Sequence, residues 1–239
     1  MMKAALIGLF MLVPVLAQAE EWESGSAKTD FVELYTSEGC SSCPPADQWL
    51  SALKQKPGLF RDFVPVAFHV DYWDYIGWKD RFARSSFSER QRQYVREGLT
   101  SQVYTPGLVI NSREWRQWFR GQRQWQRSDE TVGVLRGSLK GQQLSVSFDK
   151  SGPYKLHVAY LGMGLVSEIK AGENRGRKLN HDFVVLDIVT AEGNGEWQLT
   201  LPVVPQAGQE QTALAIWVSP AGSQEVLQVT GGYLADSSQ

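Results

Sequence analysis

Apolar and polar residues follow two different patterns along this chain, and the change falls near residue 130. Before that point, residues 31–35 and 63–70 form continuous apolar runs bounded by charged residues. Such runs are typical of strands buried on both faces of a sheet. A third run, residues 108–111, follows a turn and also predicts a strand.

Helical patterns separate these strands. Residues 44–56 open with two prolines, which fit the first turn of a helix, and Pro57-Gly58 closes the pattern. Residues 85–97 predict a second helix that stops at Gly98. The Trp- and Arg-rich residues 114–126 predict a third helix.

Short alternating runs separated by Gly, Pro, Asn or Ser clusters occupy the chain after residue 130. Regular short strands with turn signals predict an antiparallel sandwich. We therefore expect two domains, residues 20–130 and 131–239. One continuous α+β domain is the alternative at this length.

The first 19 residues have the pattern of a cleaved secretory signal peptide. Lys3 precedes an apolar run, residues 4–16, and Ala17-Gln18-Ala19 fits a signal-peptidase site. The run is shorter than the ~20 residues that span a bilayer, although an uncleaved anchor is the alternative. We expect a periplasmic or secreted protein with no membrane span after cleavage.

Composition and motifs exclude several classes of function. A formal net charge of -2 argues against a nucleic-acid partner, even though residues 113–127 interleave arginine with tryptophan. No Ser/His/Asp order, phosphate-binding Gly loop or pair of catalytic carboxylates stands out. A hydrolase or a kinase therefore has no support from the sequence.

The chain has two cysteines, Cys40 and Cys43, and only two residues separate them. A disulfide across so short a span restrains little, which favours a redox role. The unpaired N–H groups and the dipole at a helix start lower a thiol pKa. We expect Cys40, just outside the helix, to meet substrate as the nucleophile, and the more buried Cys43 to resolve the mixed disulfide.

Substrate is expected to bind at Thr105, Pro106 and Trp78. The Thr105-Pro106 pair directly precedes a predicted strand, the place where a cis-proline loop often lies beside a Cys-x-x-Cys turn. Trp78 belongs to an aromatic stretch, residues 72–78, after the second strand. These aromatics either line a groove for a peptide or pack onto the sheet.

Other polar residues have two interpretations each. His69 with the two cysteines is a candidate set of ligands for Cu(I), but a packed strand histidine is the commoner use. Residues 79–81 read as a solvated charged face. The polar stretch 173–181 is either an anion-binding arginine pair or an exposed hairpin.

Four stretches, FVELYTSEGCSSCPPAD, HVDYWDYIGWKDRFA, YTPGLVIN and GENRGRKLNHDFVV, together resemble one known family. This family, DUF1223, contains exported bacterial proteins of unknown function with a thioredoxin-like domain. The resemblance implies an α/β thioredoxin-like N-terminal domain, followed here by the β-rich, sandwich-like C-terminal domain. It carries the family's cysteine pair onto Cys40 and Cys43 and supplies no reaction.

The chain departs from ordinary thioredoxins at the site itself. Ser41-Ser42 separates the cysteines, and Leu34 occupies the strand position of the usual buried acid. We expect a thiol–disulfide oxidoreductase without a cofactor, acting on a protein or on a small thiol or disulfide. The alternatives are a thiolate-based copper carrier and a non-catalytic interaction protein with a structural disulfide.

Overall fold

The computed structural model describes residues 19–235, so the predicted signal peptide lies outside the described residues except for its last position. The strands, in chain order, are β1 (Glu20–Glu23), β2 (Asp30–Thr36), β3 (Phe63–His69), β4 (Gly107–Ile110), β5 (Arg113–Glu114), β6 (Leu135–Lys140), β7 (Gln143–Phe148), β8 (Tyr154–Met163), β9 (Leu165–Glu168), β10 (Lys178–His181), β11 (Val184–Gly193), β12 (Glu196–Thr200), β13 (Gln211–Pro220) and β14 (Gln228–Tyr233). The helices are α1 (Pro44–Ala52) and α2 (Ser85–Arg96), with short 3₁₀ turns at Leu53–Gln55, Asp74–Ile76 and Arg116–Arg120. No helix in the described range is long and apolar enough to cross a bilayer.

One eight-stranded sheet organises the molecule, in the order β14-β13-β8-β11-β3-β2-β4-β5. Strand β3 lies near its centre and runs parallel to both neighbours, β2 and β11, while the other pairs are antiparallel. Every residue of β2 and β3 is buried. The continuous apolar runs at residues 31–35 and 63–70 are therefore confirmed as strands covered on both faces.

The strands from the second half of the chain bury both of their faces as well. In β13, Ala213, Ala215 and Trp217 point to a core that also holds residues of α1 and α2. The alternate residues of β13 point to a second core, completed by the four-stranded sheet β1-β6-β7-β12. The molecule is thus layered: helices, the eight-stranded sheet, and the smaller sheet.

The predicted fold class is wrong. Among residues 19–235, strands make up 41% and helices 15%, with two α-helices, so the described fold is β-rich rather than one with a thioredoxin-like α/β domain at its N-terminal end. The local order strand, cysteine turn, helix was read correctly, but it does not determine which strands the central strand pairs with. The boundary near residue 130 stays a prediction, and the eight-stranded sheet takes strands from both sides of it.

Local elements follow the sequence closely in the first half, with one exception. Helices α1 and α2 and strand β4 lie where their patterns predict. The third predicted helix, residues 114–126, is wrong: a 3₁₀ turn at Arg116–Arg120 ends at Gly121, and the chain continues without regular structure. Gly121 has a φ of 88°, a left-handed conformation that terminates a helical turn.

A seam joins the two halves of the chain where β3 meets β11. The register pairs Ala67 with Val184, and the Ala67 N–H donates to the Phe183 carbonyl at 2.8 Å. Strand β3 ends two residues later, at His69, and β10 ends three residues before Val184, at His181. The seam therefore brings the ends of these two strands to the same edge of the molecule.

A buried ion pair ties α2 to the middle of the sheet. Glu33 of β2 is fully buried and accepts hydrogen bonds from the Arg90 guanidinium at 3.0 and 3.1 Å. The hydroxyls of Tyr94 and Tyr35 donate to the same carboxylate. Because one guanidinium and two hydroxyl groups donate to it, the Glu33 carboxylate is compensated in the interior.

Glu33→Gln is expected to lower the free energy of unfolding by about 3 kcal/mol or more, since it leaves the buried Arg90 charge without its counter-ion. Urea unfolding at neutral pH measures the loss. The matched control is Glu89→Gln, the same change in an exposed ion pair of α2 with Arg96, which should leave the unfolding curve nearly unchanged. Equal effects of the two substitutions would contradict this reading of Glu33.

Candidate functional site

The cysteine turn lies between the end of β2 and the start of α1. Cys43 is the N-cap residue of α1, and Pro44 and Pro45 occupy the first helical positions, as predicted. The two prolines supply no N–H group where the helix has no acceptor for one. The sequence thus fixes where the helix starts, and with it the position of Cys43 at the helix N-terminus.

Cys40 and Cys43 form a disulfide, with their Cα atoms 5.4 Å apart. Both residues are 0% exposed, so the expectation that Cys40 would be open to substrate is wrong for this conformation. The two serines between them are exposed, and the Ser42 hydroxyl lies 3.4 Å from the Cys40 sulfur. The disulfide therefore lies directly beneath the surface.

A single loop, residues 169–177 between β9 and β10, covers the cysteine turn; we refer to it as the clasp loop. Its Asn174 is fully buried and donates through Nδ2 to the carbonyls of Glu38 (2.8 Å) and Cys40 (3.0 Å). The Ser41 N–H donates to the Glu173 carboxylate at 3.2 Å. Side chains of the clasp loop thus bind backbone groups of the turn on both sides of the Cys40 sulfur-bearing residue.

The clasp loop is shaped by its own polar residues. The Arg177 guanidinium donates to Asn174 Oδ1 at 3.0 Å, which fixes the orientation of the amide. Gly172 has a φ of 72°, and a Cβ there would lie 3.3 Å from both Ile76 and Trp78. The polar stretch around residues 173–181 is therefore a hairpin, with Asn174 and His181 turned inward rather than exposed.

The Thr105–Pro106 peptide bond is cis, and it lies beside the cysteine turn. Strand β4 begins at the next residue, Gly107, which pairs with Tyr35 near the end of β2. The Thr105 hydroxyl accepts a hydrogen bond from the Trp73 indole at 2.7 Å. Trp73 in turn packs against Gly39, where a Cβ would come within 3.0 Å of it, so a continuous path of contacts joins the cis-proline loop to the turn.

Trp78 is half-buried, and its indole N–H donates to the Glu38 carboxylate at 2.8 Å. The indole N–H of Trp78 is therefore directed at a buried carboxylate of the cysteine turn and not at solvent. Tyr75, by contrast, is 82% exposed. The aromatic stretch after β3 is thus divided between packing around the site and exposure at the surface.

Five ionisable side chains lie buried behind the cysteine turn: Glu38, Asp47, His69, Asp80 and His181. His69 Nδ1 donates to the Asp80 carboxylate at 2.7 Å, and His181 Nε2 lies 3.4 Å from the Glu38 carboxylate. The two imidazole rings are edge to face, with centroids 5.0 Å apart. We call this set the histidine–carboxylate cluster.

Burial and mutual charge set the ionisation of the cluster. Burial is the largest influence on His69 and opposes its charge, but the carboxylates of Asp80, Asp47 and Glu38 together outweigh it, so the pKa of His69 is above its ordinary value. Burial likewise opposes ionisation of Asp80, but His69 holds the pKa of Asp80 below the usual range. Burial raises the pKa of Asp47, and the two histidines only partly offset this.

Three atoms of the cluster find no hydrogen-bond partner among residues 19–235: Glu38 Oε1, His69 Nε2 and His181 Nε2. Within the same residues, no three His, Cys, Asp or Glu side chains are arranged to hold a metal ion. Cys40, Cys43 and His69, the candidate copper ligands, are therefore not grouped as a three-ligand metal site among the described residues.

Asp47 and Asp80 are the site residues that the sequence did not reveal. The stretch 79–81 was predicted to be a solvated face, and this is wrong for Asp80, whose carboxylate is buried against His69 and accepts from the Glu38 N–H at 2.9 Å. The sequence places Asp47 near the start of the first helix, where its charge suits the helix dipole, and gives no sign of its burial. The burial of Asp47 and Asp80 could not be predicted without knowing that β10 packs over the edge of the sheet where β3 ends.

A groove of about 450 Å³ lies elsewhere, between α2 and strands β8 and β11. Four of its charged side chains are paired: Arg90 with Glu33, Arg96 with Glu89, and Glu97 with the backbone N–H of Gln224. None of its lining residues belongs to the cysteine turn, the clasp loop or the histidine–carboxylate cluster. We therefore place the candidate site at the disulfide.

Comparisons with known proteins give a family and a shared fold. The model of a family described as "Protein of unknown function (DUF1223)" matches residues 31–219, and no curated protein matches. A crystal structure of a protein from Agrobacterium tumefaciens is similar over 89% of this chain and 96% of its own, with 26% identity and a TM-score of 0.63. HBP35 of Porphyromonas gingivalis is similar over 87% of this chain and 76% of its own, with 12% identity and a TM-score of 0.48.

Asp47→Asn is expected to stabilise the protein increasingly as the pH rises. The pKa of Asp47 is higher in the folded than in the unfolded protein. As the pH rises from the lower pKa to the higher one, the unfolded chain releases the proton first, so the wild type loses stability. The asparagine variant has no proton to release at this position and keeps its stability. The difference should grow by at most about 1.4 kcal/mol per pH unit. Urea unfolding of both proteins from pH 4 to pH 8 measures it, and a pH-independent difference would contradict the assignment.

Proposed function

Because this chain belongs to the DUF1223 family, whose function is unknown, we propose its activity from the site itself: thiol–disulfide exchange at Cys40 and Cys43, with the clasp loop opening to admit the partner. The partner is a protein or a small molecule that carries a thiol or a disulfide. The observation that carries the proposal is that the cysteine turn is bound by a polar loop, through hydrogen bonds of Asn174 and Glu173 to the backbone on both sides of Cys40.

The clasp loop covers the disulfide through few contacts. Asn174 and Glu173 make three hydrogen bonds to the turn, and each is worth about 0.5–1.5 kcal/mol net. Local opening of such a loop costs far less than global unfolding. Because Ser41 and Ser42 are already exposed, we infer that displacement of the loop is the route by which a partner sulfur reaches Cys40.

The position of the disulfide favours exchange over a purely structural role. A disulfide that closes a loop of four residues gives little entropic stabilisation, because the gain is smaller for shorter loops. Cys43, the N-cap residue of α1, lies where the helix dipole favours negative charge, which partly offsets burial and makes it the leaving sulfur when the disulfide is attacked at Cys40. We assign Cys40 as the nucleophile of the reduced protein and Cys43, at the N-cap, as the resolving thiol.

Thr105, Pro106 and Trp78 take different parts in this proposal. Thr105, which is half-buried, supplies the surface against which an extended substrate segment lies, whereas Pro106 is buried. Trp78 acts from below, since its indole holds the Glu38 side chain. Export to the periplasm or beyond, as the sequence of the first 19 residues predicts, would supply a compartment in which disulfides form and persist.

A structural disulfide in a non-catalytic interaction protein is the second candidate. The complete burial of both cysteines favours it. The two candidates differ in one measurable property: a gated redox disulfide is reduced in the native state through local opening, whereas a structural one is reduced only after global unfolding.

Asn174→Ala is expected to accelerate reduction of the native disulfide by dithiothreitol about five- to hundred-fold. The variant loses both hydrogen bonds from the amide, and a loss of about 1.4 kcal/mol corresponds to a tenfold shift in opening. Trapping of free thiols followed by mass spectrometry measures the rate at neutral pH.

Asn180→Ala is the matched control, because it removes an exposed asparagine from β10 of the same hairpin. It should reduce at the wild-type rate. Reduction of all three proteins no faster than their global unfolding rates would rule out the gated exchange and favour the structural disulfide.

A further inference from the structure

The histidine–carboxylate cluster has no part in the exchange reaction as described above, yet it is built around the disulfide. Glu38 lies two residues before Cys40, and Asp47 lies four residues after Cys43. The remaining members come from the end of β3, from the segment before α2 and from the end of β10. Five titratable groups from separate segments thus converge on the inner side of one turn.

Exchange at a buried disulfide requires a proton as well as electrons. When the bond breaks, the leaving sulfur holds a negative charge, and burial disfavours that charge. Cys43 is the N-cap residue of α1 and is 0% exposed, and we expect its sulfur to stay in the interior when the clasp loop opens. A buried proton donor near Cys43 would remove this cost.

Asp47 is placed to be that donor. Residues four apart in a helix have Cβ atoms about 5–6 Å from each other on the same face, and the Asp47 N–H donates to the Cys43 carbonyl at 3.1 Å. Asp47 is 7% exposed, so its carboxyl group belongs to the interior with the sulfur. Burial raises its pKa, which favours retention of a proton.

We propose, resting on the exchange function above, that Asp47 carries the proton that Cys43 takes up on reduction and gives back on oxidation. His69, held by Asp80, is a positioning residue whose charge sets the pH at which Asp47 releases that proton. Glu38 and His181 complete the charge distribution on the other side of the cluster.

The steps balance with a dithiol as the reductant. A thiolate of the dithiol attacks the Cys40 sulfur, the Cys40–Cys43 bond breaks with its electron pair on Cys43, and Cys43 takes the proton of Asp47. The second thiol of the reductant then loses a proton to water and attacks the reductant's other sulfur, which is joined to Cys40 in the mixed disulfide. Cys40 leaves as a thiolate and takes a proton from water. Asp47 regains its proton from water; the reductant ends as a disulfide and this protein as a dithiol.

The charges facing Asp47 come from every element around it. His69 of β3 and His181 of β10 favour its ionised form, whereas Asp80, before α2, opposes it. Glu38, at the end of the β2 turn, faces His181. Removal of the His69 charge should therefore let Asp47 keep its proton to a higher pH.

The test measures reduction by dithiothreitol as a function of pH, in the Asn174→Ala background so that opening of the clasp loop does not limit the rate. Rates are divided by the concentration of dithiothreitol thiolate, which removes the titration of the reductant. The corrected rate should fall as the pH rises through the pKa of Asp47. Adding Asp47→Asn should lower the rate at acidic pH about ten- to hundred-fold and make the profile flat.

Two further variants separate proton transfer from structure. Asp182→Asn removes another buried carboxylate, paired with Lys54 outside the cluster, and should keep the pH dependence of the Asn174→Ala background. His69→Gln should move the fall in rate to higher pH, and this shift should vanish when it is combined with Asp47→Asn. Circular dichroism checks that each variant is folded.

The outcomes distinguish this inference from the function on which it rests. If the Asn174→Ala protein is reduced in its native state but its profile is flat, or matches that of Asp47→Asn, the proton role of Asp47 is overturned and exchange stands. A downward shift or no shift with His69→Gln overturns the role of His69. If no native-state reduction occurs, both the exchange function and this inference fail.

Discussion

The pairing of β3 with β11 is the constraint on which the candidate site depends. A single register pair, Ala67 with Val184, joins strands that lie far apart along the chain. It fixes His69 and His181 at one edge, where their rings meet at 5.0 Å. It also positions the hairpin whose loop covers the disulfide, so the site exists only when the two halves of the chain are in register.

The interior of this edge is polar because its charges are arranged in pairs. His69 is held by Asp80, while the Glu38 carboxylate accepts the indole N–H of Trp78 and lies beside His181. Elsewhere the structure uses the same principle, with Glu33 and Arg90 joined across α2 and the sheet. Unpaired, each of these groups would cost several kcal/mol to bury; together they fix the relative positions of a helix, two strands and a turn.

Local features of the site were predictable from the sequence, and distant ones were not. The prolines after Cys43 define the helix start, and the Thr-Pro step before β4 marks the cis-proline loop. Both depend on residues adjacent in the chain. The burial of Asp80 and the inward turn of Asn174 depend on the closure of β10 over the turn, and no periodic pattern carries that information.

The fold-class prediction failed for a related reason. Apolar runs such as residues 63–70 identify a strand buried on both faces, but not the strands that flank it. The alternation in β13 places Trp217 in one core and Ile216 in the other. Strand β13, which the sequence assigns to a separate sandwich, is therefore also part of the central sheet. Burial on both faces follows from the sequence, whereas strand order requires the three-dimensional structure.

The sealed position of the disulfide has a consequence for the order in which the chain matures. The two cysteines need only a local turn to approach each other, whereas the covering hairpin needs the pairing of strands remote in sequence, and remote contacts form slowly. An oxidant therefore has free access to both thiols in the newly made chain, before the cover is in place. The disulfide would be installed early in biogenesis, and the completed molecule would then protect it.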